Sequence, residues 1–85
     1  MTDSRDLEQL VLNYENALYR TALALLRDGG EAEDAVQDTF LRYLEKAPAF
    51  RDENHEKAWL LRVTINSCKS RLRKRKRYSA EPLPE

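Results

Sequence analysis

Apolar residues recur at helical spacing along almost the whole of this chain, in three stretches separated by breakers. From about Arg5 to Arg27, Leu7, Leu10, Val11, Tyr14, Leu18 and Leu25 fall on one face, and Leu12, Tyr19, Leu23 and Leu26 make a second apolar face beside it. Thr2, Asp3 and Ser4 are candidate N-caps for that helix. An apolar arc this wide either packs on two sides or leaves surface for a partner. Asp28-Gly29-Gly30 is expected to end the helix, because glycine takes the left-handed C-cap conformation at low cost.

The second stretch begins near Glu31, where Glu31, Glu33 and Asp34 suit a helix N-terminus, and runs to about Lys46 before Pro48. Val36, Phe40, Tyr43 and Ala47 share the face expected in the core. Asp34, Gln37, Asp38, Leu41 and Glu45 share the opposite one, an acidic surface with a leucine in its middle. Asn54 then reads as the N-cap of a third helix, after a loop holding Phe50 and Arg51. In Lys57–Arg77, Leu61, Ile65, Cys68 and Leu72 line an apolar stripe, and Arg62, Asn66, Lys69 and Arg73 repeat the spacing on another face. The expected fold is all-α, a small three-helix bundle over residues 1–77, followed by a Pro-broken linker or disordered tail at 78–85.

Charge changes the picture most. The net charge of zero hides a balance of −5 in residues 1–68 (8 basic, 13 acidic) and +5 in residues 69–85 (7 basic, 2 acidic). Seven of the nine residues from Lys69 to Arg77 are Lys or Arg, more than a helix C-terminus needs for its dipole. Such a cluster points to a polyanion, nucleic acid first. Asn66 stands within the cationic face; its amide can read a base edge, or it can simply stand in solvent. Phe50 and Trp59 lie towards the same helix and can stack on bases, although Trp59 also suits a buried anchor.

Catalysis is not expected. The sequence has no glycine-rich phosphate loop, no nucleophile paired with a histidine and no cluster at metal-ligand spacing. Cys68 is the only cysteine and sits on the apolar stripe, and His55 is the only histidine, so neither a disulfide, a metal site nor a cofactor is expected. No signal peptide or membrane-spanning run is present, which reads as a cytoplasmic protein without membrane insertion. A lipid-surface role for the basic helix is disfavoured, because its apolar stripe is needed for the core.

The segments AEDAVQDTFLRYLEKAPAF and KAWLLRVTINSCKSRLRKRKR resemble the second conserved region of bacterial RNA polymerase sigma factors, in the small extracytoplasmic-function group. Asp34, Gln37-Asp38, Phe40, Phe50-Arg51, Ala58-Trp59-Leu60, Arg62 and Asn66 match that pattern in order and spacing over about Leu10–Arg77. The resemblance implies a transcription initiation factor domain. Asp34, Gln37, Asp38 and Leu41 would dock on the clamp helices of the largest subunit of polymerase core. Phe50, Arg51 and Asp52 would form the loop that captures a flipped non-template base of the −10 promoter element. Asn66 would read a base, and Arg62, Lys69 and Arg73 would hold the strand backbone. An anti-sigma factor is a further implied partner. Tyr43-Leu44 departs from the family's more usual Leu-Trp type pair. The family normally continues through a linker into a helix-turn-helix domain that reads the −35 element. The chain is therefore expected to be a fragment of a longer factor, or else a stand-alone domain. The competing reading is a helical protein-interaction adaptor whose basic end makes no specific DNA contact.

Overall fold

In a computed structural model, the described residues are 4–79, with side chains described for 8–77. The N-cap candidates Thr2 and Asp3, the Leu7 side chain and the expected tail from residue 80 onward lie outside them. Three helices form, α1 (Ser4–Leu26), α2 (Gly29–Lys46) and α3 (Glu53–Ser79), and each packs against both others. Among the described residues there is no strand, so the all-α expectation holds.

The α1–α2 connection is tighter than its glycines imply. Arg27, not a glycine, takes the left-handed conformation (φ 55°), and its N–H bonds to Leu23 O at 2.8 Å. Asp28 is the N-cap of α2, its Oδ1 accepting from Glu31 N at 2.9 Å. Gly29 and Gly30 are thus the first residues of α2 rather than the cap of α1. The physical reason is competition at the junction: an aspartate satisfies a free N–H at a helix start, and it sits one residue before the glycines. Gly29 has a packing role instead, since a Cβ there would stand 3.2 Å from Tyr19 Oη.

At the other connection α2 ends at Lys46, and Ala47 is extended before Pro48, as a pre-proline residue prefers. The cap of α3 is Asp52 rather than Asn54: Asp52 Oδ1 accepts from His55 N at 2.8 Å. Asn54 lies one position inside the helix.

The core lies in two adjoining clusters. Ala22, Leu26, Ala32, Ala35 and Cys68 pack at the α1–α2 turn, flanked by Tyr19 and Leu72. Leu10, Leu18, Val36 and Leu60 pack at the other end, surrounded by Tyr14, Phe40, Tyr43 and Trp59. The buried line of α1 therefore takes residues from both apolar faces and runs through Leu10, Leu18, Ala22 and Leu26. Leu12, Leu23 and Leu25 are exposed, Leu12 by 72%. Alanines are what the sequence pattern underrated, because small side chains let helices approach closely while offering little hydrophobic signal.

In α3 the buried line is Leu60, Thr64 and Cys68, while Leu61, Ile65 and Leu72 sit half-buried on its border. Thr64 is tolerated there because its Oγ1 lies 2.7 Å from Thr39 Oγ1 and 2.9 Å from Leu60 O. A buried hydroxyl with partners avoids the cost of an orphaned one. In α2, Ala32, Ala35, Val36 and Thr39 are buried, Phe40 and Tyr43 are half-buried, and so is Ala47 just after the helix.

Candidate nucleic-acid interface

The basic half of α3 splits by helical register into two sets. Arg71 and Arg75, four residues apart, turn inward along α2. Arg71 Nη2 meets Asp38 Oδ2 at 2.6 Å, with Ser67 Oγ 3.3 Å from Arg71 Nε. Arg75 Nη2 meets Glu31 Oε2 at 2.7 Å, and its Nη1 donates to Leu26 O at 3.0 Å, closing a carbonyl left open at the end of α1. The other five cations of this segment, Lys69, Arg73, Lys74, Lys76 and Arg77, are exposed. Two of seven basic residues thus hold the bundle together. Composition alone does not separate them.

Arg62, Asn66, Lys69 and Arg73 are all exposed and follow one another along α3, so the structure brings together the face that spacing predicts. Asn66 stands at its edge, on the lip of a groove between α2 and α3.

At the start of α3 the aromatic residues converge. Phe50 lies between three rings: Tyr43 stacks on it (centroids 6.1 Å apart, planes at 18°), while His55 and Trp59 meet it edge-on at 5.2 and 5.7 Å. Tyr43 and Trp59 also meet edge-on at 6.1 Å. Phe50 and Trp59 are therefore half-buried partners of each other, and base contact by either is confined to the edge it leaves exposed. His55 joins the loop by accepting from Arg51 N through Nδ1 at 3.1 Å. Arg51 and Asp52 are exposed beside it.

Behind this cluster Glu56 binds two phenols. Tyr14 donates to its Oε1 at 3.2 Å and Tyr43 to its Oε2 at 3.0 Å, so one carboxylate ties the first turn of α3 to both other helices. Burial, followed by the charge of Glu56, pushes the Tyr14 phenol above its ordinary value. Sequence reasoning missed Tyr14, His55 and Glu56 as supports of this loop. Tyr14 and Glu56 are 42 positions apart, and no local pattern links residues that distant.

The acidic surface of α2 carries Asp34, Gln37, Asp38 and Leu41, all exposed. Leu41, 57% exposed, lines both grooves that flank the helix. The groove towards α1, about 750 Å³, is bordered by Val11, Tyr19, Val36, Phe40 and Leu44. The groove towards α3, about 920 Å³, is more polar in composition. Asp38 leans to the α3 side, into its pair with Arg71. Among the described residues no group of His, Cys, Asp or Glu could hold a metal ion, and no helix is long and apolar enough to cross a membrane.

The chain is similar to several bacterial proteins that bear sigma-factor names. It is 33% identical over 78 residues to the ECF RNA polymerase sigma factor SigM of Mycobacterium tuberculosis, covering 92% of this chain and 40% of that protein. The RNA polymerase sigma-H factor of Pseudomonas aeruginosa is 31% identical over 70 residues, 82% of this chain and 36% of its own length. The ECF RNA polymerase sigma factor SigE of Mycolicibacterium smegmatis is 33% identical over 78 residues, 92% of this chain and 30% of its own. This chain spans well under half the length of each of them. No solved structure matches. Residues 10–78 match the model of sigma-70 region 2, which takes in α2, α1 from Leu10 onward and all of α3 but its last residue: the chain belongs to the sigma-70 region 2 family.

Proposed function

We propose that this domain joins RNA polymerase core to promoter DNA at initiation, engaging the non-template strand of the −10 element as the duplex opens. The observation that carries this reading is the exposed face Arg62–Asn66–Lys69–Arg73, a line of cations interrupted by one amide. Cations neutralise phosphates of any sequence, whereas an amide donates and accepts in a pattern that distinguishes bases. Phe50, Arg51 and Asp52 form the loop that receives the extruded base, with Trp59 beneath it. Extrusion costs a few kcal/mol, which the loop and the cationic face together offset.

Asp34, Gln37, Asp38 and Leu41 form the polymerase-binding face, seated on the clamp helices of the largest subunit. The form of α2 supports this reading, since its ridge bears Leu41 beside the apolar groove towards α1, along which a helical partner can lie. An anti-sigma factor would cover the same surfaces. This is a binding role, not an enzymatic one.

The test is binding to a fluorescent single-stranded library of −10 sequences, with and without polymerase core, at two salt concentrations. Core-dependent, salt-sensitive selection of a motif is expected, and Asn66→Ala should relax that motif while leaving the salt slope nearly unchanged. Asp38→Arg should weaken core binding while costing only about 1 kcal/mol of stability from the broken Arg71 pair. Absence of any selection with core present would leave a helical adaptor with a basic end.

A further inference from the structure

The α2/α3 groove has features that strand-backbone contacts alone do not use. Its α3 wall continues from Asn66 through Ser70 to Lys74, at i+4 and i+8 on one side of the helix. Its α2 wall presents Leu41, Arg42 and Glu45. The two other α2 carboxylates lining it, Asp38 and Glu31, are already neutralised by Arg71 and Arg75. Among the described residues neither Arg42 nor Lys74 has an ion-pair partner. The groove therefore holds available donors in Arg42, Ser70 and Lys74, one unengaged carboxylate in Glu45, and apolar flanks in Leu41 and Val63.

Its position selects the occupant. A single strand whose phosphates lie on Lys69 and Arg73 must turn its bases to one side of that face. On one side Ile65 and Leu72 border the core; on the other, beyond Asn66, lies this groove. The second groove touches no residue of α3. A volume of about 920 Å³ is at the upper end of the roughly 300–1,000 Å³ usual for small-molecule pockets, enough for a nucleotide.

We propose that the groove between α2 and α3 is a second base-binding site, which takes a guanine adjacent to the base facing Asn66, with Arg42 and Glu45 as its readers and Ser70 beside them. This rests on the single-strand-binding role proposed above. Arg42 and Glu45 lie three residues apart on one turn of α2, and their chemistry is complementary to guanine: a guanidinium donates to O6 and N7, and a carboxylate accepts from N1–H and the exocyclic amine. Adenine offers no acceptor at position 6 and cytosine no such pair of edges.

The experiment uses the same fluorescent single-stranded library with polymerase core present, comparing the wild type with Arg42→Ala, Glu45→Gln, Ser70→Ala and, as a phosphate-contact control, Lys69→Ala. All four residues are exposed, so melting temperatures should stay at the wild-type value. The wild type should select guanine at a position next to the one relaxed by Asn66→Ala. Arg42→Ala and Glu45→Gln should each erase that preference, lowering affinity for guanine-bearing strands about tenfold and for others less than twofold. Lys69→Ala should weaken all sequences alike. If Arg42→Ala does the same, or only weakens the attachment to core, Arg42 is a general cation or a core contact and the base site is overturned. If the wild type selects a motif and Arg42→Ala and Glu45→Gln select it unchanged, this inference alone fails. If the wild type selects nothing, the promoter-binding reading fails and the base site with it.

Discussion

Two threonine hydroxyls, Thr39 and Thr64, meet at 2.7 Å inside the bundle, and each also lies 2.9 Å from a carbonyl of its own helix. Two protons serve three contacts, so at most two of the three are hydrogen bonds at one time. Replacing Thr64 by Val alone leaves one hydroxyl with a single option and should cost about 1 kcal/mol, whereas the double Thr39→Val/Thr64→Val exchange should recover most of that loss. Urea denaturation of the four proteins in the cycle measures it; additive losses would show that the hydroxyls act independently. Cys68, fully buried, behaves differently: burial is the main cause that raises its thiol above the ordinary 9.0, with Arg71 lowering it and Glu31 raising it. Tyr14 is also raised, from an ordinary 10.0. In both cases the folded protein holds the proton more tightly than the unfolded chain does. Their contribution is therefore complete below about pH 9 and is lost as pH rises through the folded-state values. Cys68→Ala should flatten the fall in melting temperature that begins above about pH 9, and Tyr14→Phe the part that begins above about pH 10; an identical fall in all three proteins would place the alkaline sensitivity elsewhere.

At the scale of elements, the joints between helices are built by aspartates. Asp28 caps α2 and Asp52 caps α3, each accepting a backbone N–H three residues on, at 2.9 and 2.8 Å. Asp28→Ala should destabilise the domain by about 1 kcal/mol, while Asp28→Asn, which keeps an acceptor, should cost much less. Equal losses would mean that the carboxylate charge, not the bond, matters. Asp52 combines a cap with a place in the proposed base-capturing loop. Substituting it therefore alters loop and helix start together, and its effect on DNA binding needs the melting temperature beside it. The same joints show what was legible. Where a breaker falls can be read from Pro48 and Gly29-Gly30, but which neighbour caps the next helix depends on competition between Asp28 and the glycines, and between Asp52 and Asn54. Those are local contests, and composition ranks the competitors almost equally.

At the scale of the molecule, the charge split becomes an arrangement of faces. Seven basic residues cluster in Lys69–Arg77, yet Arg71 and Arg75 are drawn onto the acidic α2, leaving five exposed. With four or five phosphate contacts, log K for a single strand should fall against log salt with a slope of about −3 rather than the steeper value of about −5 for seven. Asp38→Ala removes Arg71's carboxylate partner and should steepen the slope by up to about 0.7 without core, a change read by titration at several salt concentrations. An unchanged slope would mean that Arg71 stays out of reach of the strand. The Asp38–Arg71 pair itself is half in solvent and contributes no more than about 1 kcal/mol to stability.

The local pattern by itself determined three helices, their approximate ends, an acidic face on α2 and the exposed line Arg62–Asn66–Lys69–Arg73, because each is a matter of spacing within one helix. The order of short motifs carried the family. Only the tertiary structure decided which line of α1 is buried, since it takes Leu10 and Leu18 from one apolar face and Leu26 from the other, with Ala22 between them. It likewise decided that Arg71 and Arg75 belong to the bundle, and that Tyr14, Tyr43 and Glu56 meet behind Phe50. These depend on partners from other helices, and no period along one helix encodes them.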